Sequence, residues 1–191
     1  MERINVKSLM VSLEEYATVR DDANMYEAVA ALKKAQEAVN SKDYFHTHRQ
    51  LLVVDKDGDV LGKISQLDVI RALEPKYDDI GDMRYLSRTG FSETFIKSMM
   101  DKYALYDIPL ADMCKRGESL RVKDFMYTPS EGEYVRIGAS LREAVHIFVM
   151  GEHQSLLVTD DDKIMGILRL TDVFAEIFQT MVSHINEANN T

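Results

Sequence analysis

The sequence predicts a mixed α/β (α+β) fold made from two copies of one β-α-β-β-α unit, with a helical linker between them. Three observations predict it. Blocks of similar residues recur in the same order in both halves. Their apolar positions switch between helical and strand spacing. A stretch without a counterpart, residues 74–121, separates them and is too long for a plain connector.

Each copy opens with a short block: Val6-Lys7-Ser8-Leu9-Met10 returns as Val122-Lys123-Asp124-Phe125-Met126, an offset of 116 residues. A first strand follows, Val19-Arg20 in one copy and Val135-Arg136 in the other. Asn24 and Ser140 then stand where helix N-caps belong. Met25, Ala28, Val29 and Leu32 recur behind Asn24 at helical spacing, as do Leu141, Ala144, Val145 and Phe148 behind Ser140. Residues 50–54 match 154–158, and Gly62-Lys63-Ile64 with Asp68-Val69 matches Gly166-Ile167-Leu168 with Asp172-Val173, both at an offset of 104. The shorter offset places a 12-residue insertion in the first copy, at about residues 33–46, with Asp43, Tyr44, Phe45 and His46 inside it. Residues 51–54 and 60–64 flank Asp55-Lys56-Asp57-Gly58-Asp59, the pattern of a hairpin turn. Residues 156–158 and 164–168 flank Asp160-Asp161-Asp162-Lys163 in the same way. A helix closes each copy, over 67–73 and from Val173 onward.

The organisation is therefore a first repeat over 1–73, a linker over 74–121 and a second repeat over 122–191 with an extended C-terminal helix. Phe91, Phe95, Met99 and Tyr103 lie four apart and predict a helix in the linker. Val173, Phe174, Ile177, Phe178, Met181, Val182 and Ile185 form an apolar stripe longer than one small repeat needs. Two partners suit that stripe, the linker helix or a second subunit.

Composition narrows the function classes. The 191 residues carry 23 Lys+Arg against 32 Asp+Glu, a net charge of −9, with 46% hydrophobic residues. That balance disfavours nucleic acid and anionic membrane as partners, because phosphate binding runs on clustered Lys and Arg. The single cysteine, Cys114, forms no internal disulfide, and the first ten residues lack the apolar stretch of a signal peptide. A cytoplasmic, reducing setting follows as the expectation. Gly58 to Ser65 has the wrong glycine spacing for a phosphate loop, and Asp55 to Asp59 lacks the glycine position and final Glu of a calcium loop. His46-Thr47-His48 has no third metal ligand nearby.

The blocks resemble the cystathionine β-synthase (CBS) domain family, as a tandem pair. Val-Lys-x-x-Met at the head of each copy, the Ala28 and Ala144 helices, and the apolar strand ending in Asp55 or Thr159 carry the resemblance. So does Gly-x-x-(Ser/Thr)-x-x-Asp before the last helix, complete as Gly62 to Asp68 but holding Arg169 where the family prefers a hydroxyl. The resemblance implies a pseudo-twofold pair packed sheet to sheet, with two clefts between the repeats. It implies a non-enzymatic regulatory module, of the energy-sensor type, for AMP, ADP or ATP, alone or with magnesium, or for S-adenosylmethionine. It further implies a homodimer that reports to an effector protein. A ligand-free dimerisation scaffold is the alternative, supported by Arg169; an enzyme completed by the linker is a weaker one.

Within that frame, Asp68 and Asp172 suit the paired hydroxyls of a ribose, since one carboxylate accepts two hydrogen bonds. Ser65, ahead of a helix, suits a phosphate at the helix N-terminus; Gly62 and Ile64 belong to the same segment. Ser65 and Asp68 equally fit a capping box. Arg169 either reaches a phosphate as a charged fork or blocks its own cleft, and Thr171 and Asp172 either bind or cap the last helix. Arg49 and His153 precede the central strands as phosphate contacts or as solvated loop residues. Thr18 and Tyr134 align on the first strands, as an adenine-binding wall or as ordinary strand residues.

Overall fold

The computed structural model describes residues 4–37, 50–74, 76–77, 90–105 and 107–189. The chain runs through α1 (Val6–Leu9), β1 (Val11–Ser12), β2 (Thr18–Arg20), α2 (Met25–Glu37), β3 (Gln50–Val54), β4 (Val60–Ser65) and α3 (Gln66–Leu73). The linker contributes α4 (Glu93–Tyr103) and α5 (Leu110–Gly117). The second half repeats the order as α6 (Val122–Phe125), a 3-10 turn (Glu131–Glu133), β5 (Tyr134–Arg136), α7 (Leu141–Gly151), β6 (Ser155–Asp160), β7 (Lys163–Arg169) and α8 (Leu170–Asn189). The expected repeat and the expected linker helix are both present. Asn24 and Ser140 cap α2 and α7: Glu27 N donates to Asn24 Oδ1 at 2.9 Å and Glu143 N to Ser140 Oγ at 3.3 Å.

Two sheets form. In the first, β2 runs parallel to β3, and β3 pairs antiparallel with β4. In the second, β5 runs parallel to β6, β6 pairs antiparallel with β7, and β1 lies antiparallel along β7. The strand period of two sends alternate side chains to opposite faces. Leu51, Val53 and Ile64 enter a core with Ala28 and Leu32 of α2; Leu156, Val158 and Leu168 enter the matching core with Ala144 and Phe148 of α7. The residues between them face the other way. Leu52, Leu157 and Ile167 meet Tyr16 in a third buried cluster that joins the two sheets.

The opening blocks cross over. Val6 is buried in the second repeat's core and Val122 in the first's. Val6 N donates to Ala139 O at 3.0 Å, and Val122 N to Ala23 O at 2.9 Å. Behind each block the chain adds an edge to the other repeat's sheet: β1 on β7, and Tyr127 on Lys63 through a pair of 2.9 Å backbone hydrogen bonds. A glycine lies beneath each edge. A Cβ on Gly62 would sit 2.6 Å from Tyr127 O, and one on Gly166 would collide with Val11 O. These glycines permit a close backbone approach.

Strand register corrects the internal alignment. Gln50 pairs with Ser65 and Ser155 with Arg169, so β3 and β6 are offset by 105 residues while β4 and β7 keep 104. The first-repeat insertion is thus 11 residues rather than 12, and the remaining residue lengthens the first hairpin turn. A run of similar aliphatics slides by one without penalty in sequence, but the pleat does not allow it. At the structural offset His153 aligns with His48 rather than Arg49; both of the latter, and Asp43 to His46, lie outside the described residues. In the first turn the Asp55 carboxylate accepts from Asp57 N and Asp59 N at 2.8 and 2.9 Å. Those backbone donors hold its pKa below the usual value.

The described residues of the linker leave the C-terminal stripe uncovered. Val173 and Ile177 pack on the second core, while Phe174, Phe178, Met181 and Ile185 are each about half exposed or more. Helix α5 instead buries Met113 and brings Gly117 against Met25 and Leu73 of the first repeat.

Polar groups occupy the junction between the sheets. Lys63 Nζ donates to Glu133 Oε2 at 2.6 Å and to Ser155 Oγ at 3.3 Å, and lies 5.5 Å from the Tyr127 ring centroid. Tyr127 OH donates to Glu133 Oε1, and Ser155 Oγ donates to Gln50 Oε1 at 2.8 Å. Gln50 and Ser155 are equivalent positions, so their bond marks the pseudo-twofold axis. Burial works to raise the Glu133 pKa, but donation from Lys63, Tyr127 and Ser130 outweighs it and holds the carboxyl below its ordinary value of 4.5.

Two expectations follow. Gly62→Ala should cost about 1–3 kcal/mol through the clash with Tyr127, whereas Gly138→Ala, whose Cβ meets open space, should shift stability by less than about 1 kcal/mol; urea midpoints of the two variants decide. Glu133→Gln leaves Lys63 buried without its anion and should cost about 3–5 kcal/mol at neutral pH. A carboxylate whose folded pKa is depressed stabilises fully above its unfolded pKa, and that contribution is lost as pH falls through the folded one. The gap between wild type and Glu133→Gln should therefore hold above pH 4.5 and shrink below it. A gap unchanged down to pH 3 would refute this account.

Candidate functional site

Helix α3 begins at the end of β4, and its first turn builds the first cleft. Ser65 is the N-cap, with Asp68 at the third helical position. Ser65 N and Ser65 Oγ both donate to Asp68 Oδ2 at 2.7 Å, and Asp68 N donates back to Ser65 Oγ at 3.3 Å. The capping box predicted as one reading is thus present. It uses a single carboxylate oxygen: among the described residues no donor reaches Asp68 Oδ1. Asp68 also lines a cavity of about 290 Å³ that it shares with Arg71, with a second carboxylate, Asp124, and with Phe125, Met126 and Tyr127. Capping and ligand recognition therefore do not exclude each other at this residue.

Arg71 stands one turn beyond Asp68 and places a guanidinium in the same wall. Among the described residues it makes no ion pair. A hydrogen-bond acceptor and a cation on one helical face, beside the apolar Phe125 and Met126, suit a ligand with a polar ring, an anionic group and a flat apolar part. Sequence reading missed Arg71 because helical position alone does not separate a cleft-facing arginine from a solvated one. It also missed Lys63, although comparison within the chain flags it: the equivalent strand position in the second repeat is Ile167, so a lysine there is a buried charge.

The equivalent position in the second repeat is arranged differently. Arg169 takes the place of Ser65, and its guanidinium grips Asp172: Nε to Oδ2 at 2.6 Å and Nη2 to Oδ1 at 2.7 Å. Both side chains are less than a tenth exposed. Removing one partner from such a buried pair costs about 3–5 kcal/mol, because an uncompensated charge remains. Tyr16 packs beside the pair; burial pushes its pKa up to about 12, with Arg169 lowering it and Asp172 raising it. Thr171 is half-buried next to the pair on α8.

The other candidates are dispersed. Gly62 lies under the Tyr127 backbone, and the Ile64 side chain is buried in the first repeat's core, so Ile64 offers a ligand only its backbone. Thr18 is exposed on β2, at the far edge of the first sheet from Tyr127. Tyr134 packs half-buried against the cluster between the sheets. The His153 ring folds over Gly151, near Gly132. Arg49 lies outside the described residues. No group of three or more metal-ligating side chains occurs among the described residues, and no described helix is long and apolar enough to cross a membrane.

Comparison with known proteins bears on this architecture. The family model for the CBS domain matches residues 6–75 and 122–179. A CBS domain-containing protein of unknown function from Bacillus anthracis str. Ames Ancestor aligns with a TM-score of 0.60 at 16% identity, covering 93% of this chain and 94% of that one. The structure of CBSX2 in complex with AMP aligns at 0.56 with 19% identity, covering 93% and 98%. The CBS domain of a bacterial CNNM/CorC family Mg2+ transporter in complex with ATP aligns at 0.56 with 13% identity, covering 93% and 89%. No curated protein sequence matches the chain. With one family match on each β-α-β-β-α repeat, and neighbours that share the paired sheets, the chain belongs to the CBS domain family and forms a tandem pair.

Proposed function

We propose that this chain is a non-enzymatic regulatory module that binds an adenosine-containing nucleotide of the AMP, ADP or ATP class in the first cleft. The observation that carries the reading is the Asp68 carboxylate at the cavity wall: one oxygen caps α3, and no donor among the described residues reaches the other. Ribose hydroxyls would donate to it; Arg71 would take the phosphate as a charge-assisted partner. Two structural neighbours hold AMP and ATP, which supports the ligand class.

Signalling follows from the cavity wall. Tyr127 lines the cavity and donates to Glu133, the buried partner of Lys63 across the junction. A ligand that moves Tyr127 alters the bond holding the two repeats in one arrangement, and differential affinity shifts the population. The output is read by an effector protein in the cytoplasm. The exposed apolar stripe of Phe174, Phe178, Met181 and Ile185 supports a homodimer, since faces of this kind mark interfaces.

Three measurements test the reading. A thermal-shift panel should show stabilisation by adenine but not guanine nucleotides, with a ligand at 100 times its dissociation constant adding about 2.7 kcal/mol. For this chain length that is roughly 5–10 °C. Asp68→Ala should abolish the shift, and Arg71→Ala should weaken AMP about 10-fold or more while leaving adenosine unchanged. Equal AMP affinity in wild type and Asp68→Ala would sink the assignment, and a flat panel would favour the ligand-free scaffold. Nucleotide hydrolysis should stay at the buffer rate. Light scattering should give twice the chain mass for wild type and the single mass for Phe178→Lys/Met181→Lys; a monomeric wild type contradicts the dimer.

A further inference from the structure

We propose that the second cleft is filled by the protein's own Arg169, which takes the place of the ligand's ribose, so that each chain holds one nucleotide rather than two. This rests on the reading of the first cleft given above. Strand register makes Ser65 and Arg169 equivalent, since they pair with the equivalent residues Gln50 and Ser155. Asp68 and Asp172 each follow three residues later, on the first turn of α3 and of α8. The two carboxylates therefore begin as copies of one site and differ in what surrounds them.

In the first cleft, Ser65 satisfies Oδ2 alone. In the second, Arg169 Nε and Nη2 donate to Oδ2 and Oδ1, one hydrogen on each oxygen. A ribose diol reads a carboxylate with the same two-pronged donation, but its hydroxyls are neutral and the guanidinium carries a full charge. The pair is buried, so solvent screens the attraction little. Tyr16, itself 5% exposed, backs the pair from the first repeat. The wall also lacks a counterpart of Arg71: the matching position on α8 is Ala175. A nucleotide entering here would have to displace Arg169 from Asp172, and no arginine at that position receives its phosphate.

The test counts sites. Titration calorimetry with AMP, repeated with ATP, should give one site for wild type and two for Arg169→Ser, which restores the hydroxyl found in the first repeat. Asp68→Ala should give none, and Asp68→Ala/Arg169→Ser should give one. Two sites in wild type overturn the proposal, as does a site retained in Asp68→Ala, which would mean that Arg169 releases Asp172 to hold phosphate. A folded Arg169→Ser that stays at one site also overturns it. The Asp68→Ala count keeps Arg169 in place and so decides the matter even where Arg169→Ser does not fold. No site in wild type with one in Arg169→Ser would refute the first-cleft reading and the count of one, while upholding the closure of the second cleft by Arg169; no site in either refutes both.

Discussion

The contact between the two sheets is the constraint on which the rest of the molecule depends. Each sheet is covered by its helices on one face only, and period two sends Leu52, Leu157 and Ile167 to the other face. Those side chains, almost fully buried here, would meet water in an isolated repeat. A unit of about 60 residues buries too small a fraction of its surface to stand comfortably alone. Packing sheet on sheet solves both problems at once. The crossed opening blocks reinforce it, because Val6 completes the second core and Val122 the first. Separating the repeats would therefore open all three clusters together.

An all-apolar junction would be stable but indifferent to ligand. Here a minority of polar groups sits at its centre. Lys63 and Glu133 come from different repeats, and their 2.6 Å bond is formed where neither side chain is exposed. Buried pairs of this kind contribute little net stability over an apolar substitute, yet punish the loss of one partner. They thus favour one alignment of the sheets more than they strengthen the fold. Tyr127 links this pair to the cleft because its hydroxyl bonds Glu133 while its ring stands beside Lys63 and its backbone forms the edge over Gly62.

Much of the fold was legible because it is written in local patterns. Helix caps at Asn24 and Ser140, the aliphatic run 51–54 and the turn at Asp55 each need only a few neighbouring residues. The Ser65 and Asp68 capping box was legible for the same reason, though only the folded chain shows that no donor among the described residues reaches Oδ1. What escaped was information carried between segments. The one-residue slip between Leu51-Leu52 and Leu156-Leu157 is invisible in an aliphatic run and is fixed by pairing with β4 and β7. The exchange of the opening blocks leaves no trace in composition. Lys63 and Glu133, 70 residues apart, become partners only when the repeats meet, and Tyr16 gains meaning only beside Arg169 and Asp172.

The two repeats solve one electrostatic problem in different ways, and that difference separates their clefts. Each places one buried cation on the junction-facing side of its last strand: Lys63 on β4 and Arg169 on β7, two positions further along by structural equivalence. Lys63 stands ahead of the capping position, out of reach of its own helix, so its anion comes from the opposite repeat as Glu133. Arg169 stands at the capping position itself, within reach of Asp172 on the first turn of α8. In the first repeat the cation is neutralised across the junction, and among the described residues no donor reaches the second oxygen of Asp68. In the second it is neutralised locally, and Asp172 is closed. Duplication supplied two equivalent carboxylates, and the position of a single positive charge along the strand decides which of them is held by an arginine of its own strand.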